Sequence, residues 1–168
     1  MAANRIETLR NYFNAGDEPT EAQFYEVMQT IGHKYYQGAQ AKTAGFTAAN
    51  GFVYLVTDAD GCAVVLPAPT VGDCIKLVMG AVTSNNHTVT ADATTTLYNG
   101  YALLEDTADG TAAQHTVFAP DGTDDDVITM NGTTTGISGV IECYATATNR
   151  WFVDARLTAS GTVATPFS

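Results

Sequence analysis

The sequence predicts a mainly β protein: an antiparallel β-sandwich or jelly-roll-like barrel over residues 46–168, preceded by a helical N-terminal arm over residues 1–45. Three observations carry this. From about residue 50 the chain is a succession of short β-branched and aromatic runs cut by Gly, Asp, Asn and Pro. No apolar period of helix length interrupts those runs, which argues against βαβ units and hence against a parallel sheet. Before them, residues 1–45 hold four of the seven basic groups (Arg5, Arg10, Lys34 and Lys42) and an apolar period of 3.6 residues.

Within the arm, Ile6, Leu9 and Phe13 predict a short helical turn, closed by the breaker Asn14-Ala15-Gly16-Asp17-Glu18-Pro19. Thr20 stands three residues before Gln23, so hydroxyl and amide can each satisfy an orphan backbone N–H and start a second helix. Phe24, Val27, Met28, Ile31 and Tyr35 then recur at i, i+3, i+4, i+7 and i+11, one apolar stripe, and Gly32 or Gly38 ends the helix. The strand candidates follow in order. Gly51 to Thr57 is followed by the hairpin-type turn Asp58-Ala59-Asp60-Gly61 and by Cys62 to Leu66, which stops at Pro67 and Pro69. Cys74 to Met79, His87 to Ala91, Thr95 to Tyr101, His115 to Ala119, Val127 to Met130, Gly139 to Thr146 and Arg150 to Leu157 come next, with a last extended piece over Thr162 to Phe167. Thr is used heavily, and its β-branch suits a pleated, half-exposed surface.

The 168 residues carry a net charge of −11, and 45% of them are hydrophobic. That composition is a folded one, and its sign opposes binding to nucleic acid or to an anionic membrane, both of which reward Lys and Arg. No apolar run approaches the ~20 residues of a membrane-spanning helix, and the first ten residues lack the apolar core of a signal peptide. Synthesis in a cytosol without export is therefore expected, and the glycosylation-type triplets at Asn86 and Asn131 read as chance matches. Cys62, Cys74 and Cys143 are odd in number, without CxxC spacing, and read as free thiols rather than as a disulfide framework or zinc site.

No catalytic set, cofactor or metal is expected. His33, His87 and His115 fall in three unrelated segments, and neither GxGxxG nor GxxxxGK[ST] occurs. Residues 77–149 lack Lys and Arg but carry nine carboxylates, densest at Asp121-Gly122-Thr123-Asp124-Asp125-Asp126. Clustered carboxylates suit Ca²⁺, but the EF-hand spacing is not met and the downstream Glu is missing, so a solvated acidic loop is the preferred reading. Asp58 and Asp60 read as turn residues and Trp151, the only Trp, as a core anchor. Tyr98, Tyr101 and Tyr144 offer stacking surfaces for a sugar if exposed, although Tyr is also an ordinary strand residue.

Four stretches carry a resemblance. Residues 11–24, Asn-Tyr-Phe-Asn-Ala-Gly-Asp-Glu-Pro-Thr-Glu-Ala-Gln-Phe, resemble an N-terminal pattern of tailed-bacteriophage structural proteins: an aromatic, a Gly-Asp-x-Pro-Thr turn, then a helix. Leu66-Pro67-Ala68-Pro69-Thr70-Val71-Gly72-Asp73, Asn149-Arg150-Trp151-Phe152-Val153 and the tail Gly161 to Phe167 are similar to phage head-decoration (cement) proteins. The resemblance implies a noncatalytic virion protein on the outer capsid surface, a homotrimer that clamps major capsid subunits against internal DNA pressure. Its interface is then expected at Ile6, Leu9, Phe13, Phe24, Val27, Met28, Ile31, Pro166 and Phe167, with packing on its own sandwich the competing fate of the helical stripe. Similar openings also occur in tail fibres and spikes, which makes a receptor- or glycan-binding appendage module the alternative.

Overall fold

The computed structural model describes residues 38–82, 84–93, 96–107 and 114–168. Eleven strands lie there: β1 Gly38–Lys42, β2 Phe46–Thr47, β3 Phe52–Val56, β4 Ala63–Val65, β5 Cys74–Met79, β6 His87–Thr90, β7 Leu97–Asp106, β8 Gln114–Phe118, β9 Val127–Met130, β10 Ser138–Ala147 and β11 Arg150–Ala159. They form a seven-stranded sheet in the order β1-β3-β5-β10-β11-β7-β8 and a four-stranded sheet in the order β2-β4-β6-β9. The mainly β class predicted from sequence holds, and the helical arm lies outside the described residues, as do Ile6, Leu9, Phe13, Phe24, Val27, Met28 and Ile31.

The sheets are mixed rather than antiparallel. Five of the nine pairings among the described residues are parallel: β1 with β3, β3 with β5, β2 with β4, β4 with β6, and β7 with β11. The argument that parallel pairing needs helices fails for a physical reason. A parallel pair needs only a crossover long enough to return the chain to the same end, and here a strand of the opposite sheet supplies it. From β1 to β7 the chain alternates between sheets at every step, so β1–β2, β3–β4 and β5–β6 stack as three turns of a winding. The Asp58 to Gly61 turn is real, with the Asp60 N–H donating to Asp58 Oδ1 at 3.0 Å. It carries the chain from one sheet to the other instead of closing a hairpin. β1 also falls within residues 1–45, assigned to the arm, yet it pairs with β3 along five register positions.

Alternation buries one face of each sheet. β5 reads half-buried, buried three times over, and β11 buries Trp151, Val153, Ala155, Leu157 and Ala159. These residues share one core with Val64, Val89, Ile128 and Met130 of the smaller sheet. Trp151 is the core anchor expected of it. Tyr98 ties the sheets together, its hydroxyl on β7 donating to the Val89 carbonyl on β6 at 2.9 Å, and burial raises its pKa well above the ordinary phenol value. Tyr98→Phe leaves that carbonyl without its donor and is expected to cost about 1 kcal/mol in urea unfolding, with the m-value unchanged. A variant as stable as the parent refutes the sheet-bridging role.

One expectation about outward-reaching residues is corrected. Pro166 and Phe167 are buried in the protein's own body. Phe167 is 5% exposed, its ring 6.5 Å from that of Tyr98, and the tail bonds along β9 through Thr129 N–H to the Pro166 carbonyl and Val127 N–H to the Ser168 carbonyl. An apolar terminal residue beside an open core edge gains more by filling it than by waiting for a neighbour. Lys42, counted among the basic groups of the arm, has its ammonium 5.0 Å from the Phe46 ring centroid and 5.4 Å from that of Tyr54, a cation–π contact within the domain.

Candidate interaction face

Every second residue of the larger sheet points away from the core, and these residues assemble one continuous surface. Register places them in rows across the strands. One row runs Val53, Lys76, Glu142, Asp154 and Tyr101 over β3, β5, β10, β11 and β7. The next runs Leu55, Val78, Val140, Arg156, Leu103 and Val117, ending on β8. A third holds Cys74, Tyr144, Phe152 and Asn99, and a fourth Ser138, Thr158, Glu105 and His115. Four of the six exposed large hydrophobics among the described residues, Leu55, Val117, Tyr144 and Phe152, stand on this face.

At its centre two ion pairs sit side by side. Lys76 Nζ lies 2.7 Å from Glu142 Oε1, and the Arg156 guanidinium meets Asp154 through Nη2 at 3.0 Å and Nε at 3.3 Å. The Tyr144 hydroxyl donates to the other oxygen of Glu142. These bonds, the one from Lys76 first, hold the Glu142 carboxyl below its ordinary value, so it stays ionised well into the acid range. Lys76, Val140, Glu142, Asp154 and Arg156 line a shallow depression of about 160 Å³. Its floor is a rigid sheet, its charges cancel, and its rim is aliphatic on one side and aromatic on the other. Tyr101 and Phe152 meet edge to face, with centroids 6.4 Å apart. The Glu142 carboxylate at the centre of the face is held ionised, the opposite of what a general acid near neutral pH requires.

No known family pattern matches the chain. No curated protein matches it either.

The other residues singled out from the sequence are placed as follows. Among the three tyrosines offered as sugar platforms, Tyr98 is fully buried, which removes it; Tyr101 and Tyr144 share the outer face. His87 is buried and bonded on both ring nitrogens, His115 is exposed on β8, and His33 lies outside the described residues. None of the three cysteines is in a disulfide: Cys62 and Cys143 are buried and Cys74 is half-buried. Burial pushes the Cys143 thiol up to about 12. Asp121, Asp124 and Asp125 bring carboxylate oxygens within 4.8 Å of one another. All three are already engaged, Asp121 accepting from the Thr123 N–H at 2.7 Å and its hydroxyl at 2.8 Å, Asp124 from the same hydroxyl at 3.3 Å, and Asp125 from the Asp121 N–H at 2.5 Å. Those bonds from Thr123 hold the Asp121 carboxyl low, the chemistry of a self-capped loop.

Sequence reasoning missed the Lys76–Glu142–Asp154–Arg156 centre. Half of its signal is in the alternation Val140-x-Glu142-x-Tyr144 and Phe152-x-Asp154-x-Arg156, which puts each triplet on one face of its strand. The other half, the pairing of β10 with β5 that delivers Lys76 from 66 positions away, has no local trace.

Proposed function

We propose that the protein is a noncatalytic structural protein of a tailed-phage virion, displayed on the outside of the head as a decoration protein that grips capsid subunits. The observation that carries the structural-protein part of this reading is the outer face of the seven-stranded sheet, a broad surface with its central charges paired and its rim apolar, suited to packing against another chain. The resemblance of residues 11–24 and of the three later segments to phage structural and decoration proteins supplies the setting. The net charge of −11 is consistent with dense display, since like-charged copies stay soluble when crowded. Repetition on a symmetric shell turns modest individual contacts into avidity.

The test is cosedimentation of the full chain with undecorated heads, beside a Val27→Glu/Ile31→Glu variant of the stripe predicted from sequence, which is expected to lose binding. Saturable, stoichiometric binding is the expected result. A well-folded chain that stays in the supernatant overturns the head location. A second reading, an appendage module that binds a glycan, is favoured by one observation: Tyr144 and Phe152 face each other across β10 and β11, with Tyr101 against Phe152. Three adjacent rings beside paired charges are what a sugar stacks on and hydrogen-bonds to, and a glycan array with the full chain and with Phe152→Ala tests it.

A further inference from the structure

We infer that the outer face of the seven-stranded sheet is a two-fold interface between copies of this chain, the inference resting on the structural-protein reading and naming the partner of that face. Charge is the first argument. A chain of net charge −11 repels itself over most of its surface. Of the four described cations, Lys76 and Arg156 stand on this face, each against a carboxylate of the same face. The four central charges cancel and leave Glu105 of the outermost row as the remaining carboxylate, so two copies repel each other less here than a surface of the chain's average charge would.

Pattern is the second argument. Asp154 and Arg156 stand two residues apart on β11, in adjacent rows. A two-fold axis lying in the interface, across the strands and between these rows, turns Arg156 of each copy toward Asp154 of the other. The same operation sets Leu103 of each copy over Tyr101 of the other, so the aliphatic row covers the half-polar one. Isologous contacts need this kind of self-complementarity. The Arg156 side chain, 71% exposed, keeps donors free for the second carboxylate.

Area is the third. Six strands at ~4.8 Å spacing and four rows along them give a patch about 24 Å by 20 Å. That is about 480 Å² per copy, below the ~800 Å² per partner of a standard specific interface, and fits a weak association that depends on concentration.

Sedimentation equilibrium of the full chain from ~1 µM to ~1 mM is expected to show mass rising from one copy to two. Val117→Glu and Arg156→Asp each place a new or reversed charge on exposed positions of the face, and each is expected to raise the dissociation constant at least tenfold. Val71→Glu, equally exposed at 66% but off the face, is expected to leave it unchanged. An equimolar mixture of Asp154→Arg and Arg156→Asp chains, both monomeric alone, is expected to regain the dimer. A chain monomeric throughout, a trimer, or a dimer indifferent to Val117→Glu and Arg156→Asp overturns the inference, as does equal weakening by Val71→Glu. Cosedimentation of the same chains with heads separates this from the decoration reading: a dimer that ignores heads sinks only the latter, and a monomer that binds them sinks only the former. A monomer whose head binding is lost in Val117→Glu gives this face to the capsid surface instead.

Discussion

Replacing His87 with Leu is expected to destabilise the protein by roughly 2–5 kcal/mol, because it strips two backbone groups, one buried and one half-buried, of their partners at once. His87 is fully buried at the start of β6. Its Nδ1 accepts from the Cys62 N–H at 3.0 Å and its Nε2 faces the Gly80 carbonyl at 3.2 Å. With Nδ1 an acceptor, the proton is assigned to Nε2, which donates to Gly80, and the ring is neutral. It thereby joins the turn before β4 to the turn after β5, which is what holds successive turns of the winding in step. Burial lowers its pKa, outweighing the opposite pulls of the Gly80 bond and of Asp58. Since the folded pKa lies below the unfolded value of about 6.5, the unfolded chain takes up the proton first. The contribution is complete above about pH 6.5 and is lost as pH falls toward the folded value, by at most ~1.4 kcal/mol per pH unit. His87→Gln keeps an acceptor and a donor without titrating. Urea unfolding between pH 7.5 and 5.5 is expected to show the parent losing stability from this group, Gln flattening that slope, and Leu low throughout. Identical slopes in parent and Gln variant sink the assignment.

Gly100→Ala is expected to abolish folding or to cost more than ~3 kcal/mol, the sum of a backbone penalty and a clash. Gly100 lies in β7 at φ +103°, where an L side chain is strained, and an added Cβ falls 2.1 Å from the Val153 carbonyl oxygen of β11. The obstacle is backbone of a central strand, so it cannot swing aside. Gly72 is the control. Its φ is +95° but nothing lies within 4 Å of an added Cβ, so Gly72→Ala is expected to show the conformational penalty alone, about 1 kcal/mol. Equal losses in the two variants, read from denaturant midpoints, refute the close approach of β7 to β11.

What was legible in the sequence divides along physical lines. β5 and β9 were bounded correctly because a short, largely apolar run ends in turn residues at both sides. β10 and β11 differ from their expected limits by one or two residues for the same reason. β1, Gly-Ala-Gln-Ala-Lys, escaped notice because it is an edge strand with no apolar alternation, and β2 because two residues carry no period. The direction of pairing was misjudged because alternation specifies a strand's faces and not its neighbours. The turn chemistry at Asp58 to Gly61 was read correctly and its destination incorrectly, since an Asx turn reverses the chain without choosing a sheet. On the candidate face, Tyr101 and Tyr144 were recognised as residues able to stack, whereas the ion-paired centre depends on register between strands far apart in sequence.

The alternation of the chain between sheets also fixes an order of assembly. β10 and β11 are joined by two residues, 148 and 149, so their pairing closes a short loop at small entropic cost. β7 meets β11 only after the whole stretch between them has been gathered in, and β5 meets β10 across a comparable distance. The hairpin is thus the natural seed, and the three turns β5–β6, β3–β4 and β1–β2 accrete on it outward, each templated by the previous one. High contact order of this kind belongs to chains that fold in milliseconds to seconds rather than microseconds. The turn added last, β1–β2, has a neighbour on one side only and opens first. Amide exchange is therefore expected to rise stepwise from the β10–β11 seed toward residue 38.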